Sequence, residues 1–149
     1  MIIPHLFKKE LIPRQLPKDM QRVVNTLKNV RSKEECLEKA YAIITKRFHG
    51  ERIKTYTRFL DLFITNINEL WKRKGFHHCT HLNYLLRTLL IKSKKFKEQD
   101  IKQKLTMLWY ISPHQYLKIK IKNTWIDVDP WGETYNTKIG EHTHTKQST

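Results

Sequence analysis

The sequence is poor in the features that mark secreted and membrane proteins. Its 149 residues include only two cysteines, Cys36 and Cys79, so a scaffold held by several disulfides is excluded. No apolar run approaches the roughly 18–20 residues that a membrane-spanning helix needs. The opening residues, Met1 to His5, are too few in apolar side chains for a secretion signal. We therefore expect a cytoplasmic protein with free thiols and no membrane association.

Acidic residues are also scarce. Lysine and arginine number 29 against 14 aspartates and glutamates, which gives a formal charge of +15. This excess fits either solvated helix faces or a surface for nucleic acid. Only 8 of the basic residues are arginine, the residue that most often makes bidentate contacts to bases. Nucleic-acid binding is therefore kept as the alternative function. The acidic residues do not cluster in a calcium-binding pattern.

The chain divides into an arm, one domain and a tail. Residues 1–18 contain three of the five prolines and are predicted to form a basic, extended arm. Residues 19–135 are long enough for a single domain with its own core. Residues 136–149 are polar and are predicted to form a loose tail.

A capping box of Ser32 and Glu35 predicts a helix over residues 33–48, which Gly50 ends. Apolar residues recur at helical spacing in two further segments, which predicts helices over residues 53–71 and 79–91. The middle segment is the best defined, and we expect its wide aromatic stripe to lie in the core. A short helix is predicted over residues 97–104, followed by a strand over residues 105–111.

The period changes to two in the C-terminal part of the domain. Residues 116–121 alternate between polar and apolar side chains, and residues 125–129 repeat the alternation. Lys122 and Asn123 between them predict a two-residue hairpin turn. Helices followed by a small antiparallel sheet indicate an α+β fold, with the N-terminal helices packed on the sheet.

Cys79 stands at the start of the predicted helix 79–91. Its position three residues before Leu82 puts the sulfur on the core side of the first turn. The unpaired amides and the positive end of the helix dipole favour the thiolate there, which is the nucleophilic form. The Cys79 backbone N–H can also bind an oxyanion. A small buried cysteine with no chemistry fits the same position, so both alternatives stay open on this observation alone.

A two-residue turn decides which side chains share a face of the hairpin. If residue 121 faces residue 124, then Tyr116 faces Asp129, and His114 becomes the diagonal neighbour of Asp129. A carboxylate in that place can orient an imidazole, and a His–Asp pair beside a cysteine helix supplies nucleophile, base and orienting group. A three-residue turn would separate the pair, so the prediction depends on the turn.

The order of these motifs resembles the transglutaminase-like superfamily of papain-type cysteine enzymes. The residues that carry it are Cys79 with its leucine-rich helix, His114-Gln115-Tyr116, and Trp125-Ile126-Asp127-Val128-Asp129-Pro130. The resemblance covers roughly residues 50–132. It implies a transglutaminase/papain-like fold and a catalytic triad of Cys79, His114 and Asp129. It also implies hydrolysis or acyl transfer on peptide-like amides, without a cofactor.

Further site residues are predicted around this triad. Trp71 and Asn68, upstream of the cysteine, are candidates for an oxyanion donor in addition to the Cys79 N–H. The candidates for lining the substrate cleft are His77, His78, Tyr116 and Trp131.

Two other hypotheses compete with that of an enzyme, namely a metal site and a binding module for nucleic acid. The cluster His77-His78-Cys79-Thr80-His81 has no spaced second pair of ligands, so no metal is expected. The expected partner is a peptide or protein substrate, of which an acidic one would suit the basic surface. The alternative is a non-catalytic basic binding module of the same fold that binds nucleic acid.

Overall fold

The computed structural model describes residues 8–108 and 112–143. Its α-helices are α1 (Lys18–Lys28), α2 (Lys33–Arg47), α3 (Arg52–Thr57), α4 (Ile67–Lys72) and α5 (Cys79–Lys92). Short 3₁₀-helices cover Phe59–Phe63, Glu98–Asp100 and Pro130–Tyr135. In the described part of the chain no helix is long and apolar enough to cross a membrane.

The strands form two sheets. A short parallel pair joins β1 (Phe48–His49) to β2 (Gly75–Phe76). The larger sheet is antiparallel and consists of β3 (Ile101–Leu108), β4 (Ser112–Ile121) and β5 (Thr124–Val128), with β4 in the centre. The main helices precede this sheet along the chain, so the fold is α+β.

The β4–β5 connection is the two-residue turn predicted at Lys122 and Asn123. Both residues have positive φ, 48° and 63°, a geometry that matches the twist of the flanking strands. Ile121 pairs with Thr124, and the ladder continues along β5 to Val128. The predicted register of the hairpin is therefore confirmed.

Helix α5 lies at the centre of the core. Its five leucines are fully buried, and the helix packs against α1, α2 and β4. The inner face of the sheet meets it with the buried side chains of Leu117, Ile119 and Val128. Full burial of one such side chain contributes about 1.5–3 kcal/mol relative to leaving it in water. Helix α5, which begins with Cys79, is thus held by core packing on several sides.

The prediction of one continuous helix over residues 53–71 is wrong. The segment forms α3, the 3₁₀-helix Phe59–Phe63 and α4. Asn66 starts α4 afresh, because its side chain accepts hydrogen bonds from two backbone N–H groups of that helix's first turn. An ion cluster in which Asp61 binds both Arg58 and Arg73 holds the 3₁₀ turn against the end of α4.

The aromatic stripe of this segment also lies outside the core. Ile53 and Leu60 are 69% and 68% exposed, and Tyr56, Phe59 and Phe63 are exposed as well. Only the part that belongs to α4, with Leu70 and Trp71, is buried as predicted. Of the exposed side chains, Tyr56 and Phe59 line the same cavity as Cys79.

The connection before the sheet differs from the prediction too. Instead of a helix over residues 97–104, a three-residue 3₁₀ turn ends at Asp100, whose carboxylate accepts the backbone N–H of Lys97. Strand β3 then begins at Ile101, four residues before the predicted start. The end of the predicted strand, residues 109–111, lies outside the described residues.

The two ends of the chain were predicted to be an extended arm and a loose tail. Residues 8–17 have no helix or strand, and α5 holds their backbone through Tyr84 and Lys92. Residues 136–143 fold back on the hairpin, where Gly140 N–H donates to the Asp127 carbonyl at 2.7 Å and Thr143 is fully buried. Residues 1–7 and 144–149 lie outside the described residues.

Candidate active site

The hairpin brings His114 and Asp129 into direct contact, as the turn parity predicts. His114 Nε2 donates to Asp129 Oδ2 at 2.7 Å. The two residues are only 2% and 0% exposed. Because Nε2 is bound to the carboxylate, Nδ1 is the ring nitrogen left for a reacting partner.

Asp129 is fixed by the turn that follows β5. Pro130 begins the 3₁₀-helix Pro130–Tyr135, and the Asp129 side chain caps it by accepting the Gly132 N–H at Oδ1, 3.2 Å away. The Thr143 N–H donates to Oδ2 at 2.8 Å. A Cβ on Gly132 would collide with the side chains of Thr143 and Thr137, so glycine is needed for this close approach. Residues 136–143 thus supply, through the Thr143 N–H, one of the hydrogen bonds that hold the Asp129 carboxylate.

Both members of the pair have shifted pKa values. Burial alone would lower the pKa of His114, but the Asp129 carboxylate and the Cys79 sulfur outweigh it and raise that pKa above its ordinary 6.5. Burial would raise the pKa of Asp129, but the imidazole and the Thr143 N–H together lower it below 3.8. We therefore expect an imidazolium–carboxylate pair at neutral pH.

Cys79 is the first residue of α5 and faces this pair. Its side chain is half-buried, and its charge and hydrogen-bonding interaction with His114 contribute to the raised pKa of the imidazole. The Gln115 backbone N–H points at Sγ from 3.5 Å. His78, the residue before the helix, makes no side-chain cap. The positive end of the helix therefore acts on the sulfur without a competing side-chain acceptor from His78.

Asn83, one turn after Cys79, ties the helix to the strand that carries His114. It is completely buried, and its Nδ2 donates to the Gln115 carbonyl at 2.9 Å and to the Gln115 side-chain oxygen at 3.1 Å. The residue next to His114 is thereby held through its backbone carbonyl and its side chain. Asn83 is not among the residues predicted from the sequence, although an amide among the leucines of a buried helix is a signal that a buried partner exists.

A cavity of about 490 Å³ opens beside Cys79. One wall comes from α3 and the following 3₁₀ turn, the other from the start of α5 and the start of β4. Its lining residues are Thr55, Tyr56, Phe59, Leu62, His78, Cys79, Thr80, Ser112 and Pro113. The sulfur is therefore reachable from an apolar hollow on the surface.

Of the predicted cleft residues, His78 lines this cavity and the other three do not. His77 is buried against Phe48, and its Nε2 donates to the carbonyls of Leu70 and Arg73 at 3.0 and 2.8 Å. Burial lowers the pKa of His77 to about 4, so the ring is neutral at pH 7. His78 Nε2 donates to the Arg58 carbonyl at 2.9 Å, and burial lowers its pKa also.

Trp131 packs directly on His114 of the His114–Asp129 pair, whereas Tyr116 packs on His142. The Trp131 ring packs on the His114 ring at 5.1 Å between centroids and is 2% exposed. Tyr116 stacks on His142 at 4.0 Å, and His142 Nδ1 in turn bonds to Asp127 at 2.7 Å. Both aromatic rings are therefore part of the hairpin's packing and do not line the cavity.

The two upstream oxyanion candidates are not brought to the cavity. Trp71 is buried against Phe48, lies under the Arg47 guanidinium at 4.4 Å, and lines a separate hollow. Asn68 is exposed on the first turn of α4. The physical reason is the break before Asn66, which lets α4 turn its apolar side into the core. The Cys79 N–H stays the candidate that belongs to the site.

Comparisons with protein-family models, with curated proteins and with solved structures give no match to this chain. Function must therefore be inferred from the site itself. Within residues 8–108 and 112–143, no group of three or more histidine, cysteine, aspartate or glutamate side chains is arranged to hold a metal ion. The side chains of His77 and His78 are bonded to backbone carbonyls, as described above.

Proposed function

We propose that this chain is a cysteine hydrolase or acyltransferase with a transglutaminase-like, papain-like fold that acts on peptide-like amides. Cys79 is the nucleophile, His114 the acid and base, and Asp129 the orienting group. The observation that carries the proposal is the buried 2.7 Å contact between His114 and Asp129, on a strand held against the helix of Cys79. The chain order of cysteine, histidine and aspartate on an α+β fold supports it further.

In the first step the Cys79 sulfur attacks the carbonyl carbon of the amide. A carbon–sulfur bond forms, and the carbonyl electron pair moves to oxygen, to which the Cys79 N–H at the helix start can donate a hydrogen bond. When the intermediate collapses, the carbon–nitrogen bond breaks and the His114 Nδ1 proton passes to the departing amine. The acyl group is left on sulfur as a thioester.

In the second step His114 acts as a base. It takes a proton from water or from an acceptor amine as that nucleophile attacks the thioester carbonyl. The carbon–sulfur bond breaks, the electron pair returns to sulfur, and an acid or a new amide leaves. Asp129 stays ionised throughout and keeps the ring oriented, since its own shell of N–H donors holds it in place.

The test is acylation of Cys79 by the p-nitrophenyl ester of an N-acetylated amino acid. We expect intact-mass analysis to show one acyl group on the wild-type protein and none on Cys79→Ala, while Cys36→Ala behaves as the wild type because Cys36 lies in the core. Adding methylamine then separates acyl transfer, which yields the methylamide, from hydrolysis. Equal modification of wild type and Cys79→Ala would contradict the proposal.

A second candidate function, a basic binding module for nucleic acid, is supported by the outer face of the sheet. Lys102 and Lys120 lie there at the Trp125 ring, and Lys118 is paired with Asp127. The Lys102 ammonium lies 4.3 Å from the centroid of the Trp125 ring. Lysines around an aromatic ring suit the backbone and bases of a single strand.

This candidate has its own test, which leaves the cavity untouched. Binding of a single-stranded oligonucleotide is measured at rising salt for the wild type and for Lys102→Glu combined with Lys120→Glu. If the face binds nucleic acid, log K falls linearly with log salt and the slope of the variant is smaller by about 1.4, since each lysine contact to a single strand contributes about 0.7. No binding at low salt would eliminate this function.

A further inference from the structure

The cavity beside Cys79 contains a wall made of aromatic and aliphatic side chains. Tyr56, Phe59 and Leu62 form one side, and Pro113 lies on the side of the β4 start. The volume of about 490 Å³ falls within the range of about 300–1,000 Å³ that is typical of small-ligand sites. Because Cys79 is itself part of the lining, whatever fills this hollow lies next to the bond that the sulfur attacks.

The described residues lining the cavity include no aspartate, glutamate, lysine or arginine. The polar groups there are largely engaged inside the protein, since the Thr55 hydroxyl donates to the Glu51 carbonyl and His78 to the Arg58 carbonyl. The Thr80 hydroxyl is buried and has no hydrogen-bond partner among the described residues, so it is an uncharged polar group in this lining. A charged side chain entering the cavity would lose its hydration without gaining an ionic partner from these walls.

Charged side chains on the elements around the cavity are also paired with opposite charges. Arg58 and Arg73 both bind Asp61, Arg73 also binds Glu69, and Lys54 binds Glu51 at 2.9 Å. The high net charge of the chain is therefore not concentrated at the cavity mouth, and it does not favour an acidic group at this position.

We propose that the cavity binds the side chain of the acyl group that Cys79 attacks, and that it selects large apolar or aromatic side chains. This inference rests on the proposed function. Phe59 is the main specificity-determining residue, since its ring is 52% exposed and lines the same cavity as Cys79. An apolar side chain gains free energy by leaving water on this wall, whereas glutamate or lysine does not.

The experiment compares p-nitrophenyl esters of N-acetylphenylalanine, N-acetylglycine and N-acetylglutamate. The kcat/KM of each ester is divided by its uncatalysed rate. We expect the phenylalanine ester to exceed the glycine and glutamate esters by about tenfold or more in the wild type. In Phe59→Ala the preference for the phenylalanine ester over the glycine ester should fall at least about fivefold. Leu60→Ala is the matched control, because Leu60 is exposed on the same turn but does not line the cavity.

The outcomes distinguish the inference from the function on which it rests. Acylation of Cys79 without preference among the esters, a preference for glutamate, or a ratio unchanged in Phe59→Ala would overturn the apolar selectivity and leave the nucleophile intact. Absence of acylation with every ester would overturn the proposed function and this inference with it. Tyr56→Ala, which alters the same wall, gives a second variant if Phe59→Ala does not fold.

Discussion

The two halves of the candidate site are built in opposite ways. His114 and Asp129 are buried, and the carboxylate accepts hydrogen bonds from the imidazole and from the Gly132 and Thr143 amides. The facing wall, residues 52–63, consists of two short helical turns with exposed apolar side chains. Proton transfer needs a fixed geometry, whereas a binding wall must be open to the substrate. Under the proposed function, the buried half would perform the chemistry and the open wall would select the substrate.

The largest effect is expected where the buried half loses its carboxylate. Asp129→Ala leaves a buried imidazole without its partner, so we expect the free energy of unfolding to fall by about 3–5 kcal/mol. Urea unfolding measures this loss. Asp127→Ala, two residues earlier on the hairpin, is the matched control, since its contacts with Lys118 and His142 are partly exposed and worth about 1 kcal/mol or less. Equal losses of stability in both variants would contradict a greater contribution from the buried His114–Asp129 pair than from the partly exposed Asp127 contacts.

Acid should weaken the fold through His77, which is buried just before the start of α5 and apart from the His114–Asp129 pair. Its pKa is about 4 in the folded protein and 6.5 when unfolded, so the unfolded state binds a proton more readily between these values. The stability that this residue contributes is present above pH 6.5 and is lost as the pH falls toward 4, by about 3 kcal/mol. Urea unfolding of the wild type and of His77→Gln at pH 7 and pH 4.5 tests this. We expect the variant to lose less stability than the wild type between the two pH values. Equal losses in the two proteins would contradict the role of His77.

A smaller effect is expected for the clamp between α5 and β4. Asn83→Leu keeps the branching of the side chain at Cγ but removes both hydrogen bonds to Gln115, so we expect a loss of about 1–3 kcal/mol in stability. Asn83→Gln should restore part of it. If Asn83 positions His114, the pH profile of Cys79 acylation will also shift in Asn83→Leu. A stable variant with an unchanged profile would make Asn83 purely structural.

The smallest effect is expected in the open wall. Phe59→Ala and Leu60→Ala both remove exposed side chains, so each should change the free energy of unfolding by less than about 1 kcal/mol. Thermal unfolding measures both. A loss of about 3 kcal/mol or more in either variant would mean that residues 52–63 belong to the core after all, and the contrast between the two halves would disappear.

The sequence predicts the buried half well because its geometry is local. Lys122 and Asn123 set a two-residue turn, and the period of two along the strands then places His114 diagonally opposite Asp129 without further information. Cys79 needs only the start of a helix. The contact of Thr143 with Asp129 comes from residues predicted to be a loose tail, and polar composition gives no signal for such a return.

The open wall could not be predicted from its pattern. Residues 53–71 have the apolar period of a single buried helix, yet the chain breaks before Asn66, which caps a new helix. Hydrophobic periodicity reports which side chains share a face, but it does not distinguish a face that packs on the core from one that lines a substrate cavity. The same limit explains why Trp71 was expected near Cys79.

The most direct test of the triad is the rate at which iodoacetamide alkylates Cys79 between pH 5 and pH 8, followed by peptide mass spectrometry. Cys36 is the internal control, because burial raises the pKa of its thiol and the residue lies in the core. If Cys79 forms an ion pair with His114, it reacts rapidly at pH 6, its rate changes little up to pH 8, and His114→Gln removes this reactivity. A rate that rises about tenfold per pH unit, as for an ordinary thiol, and is unchanged in His114→Gln would contradict the triad.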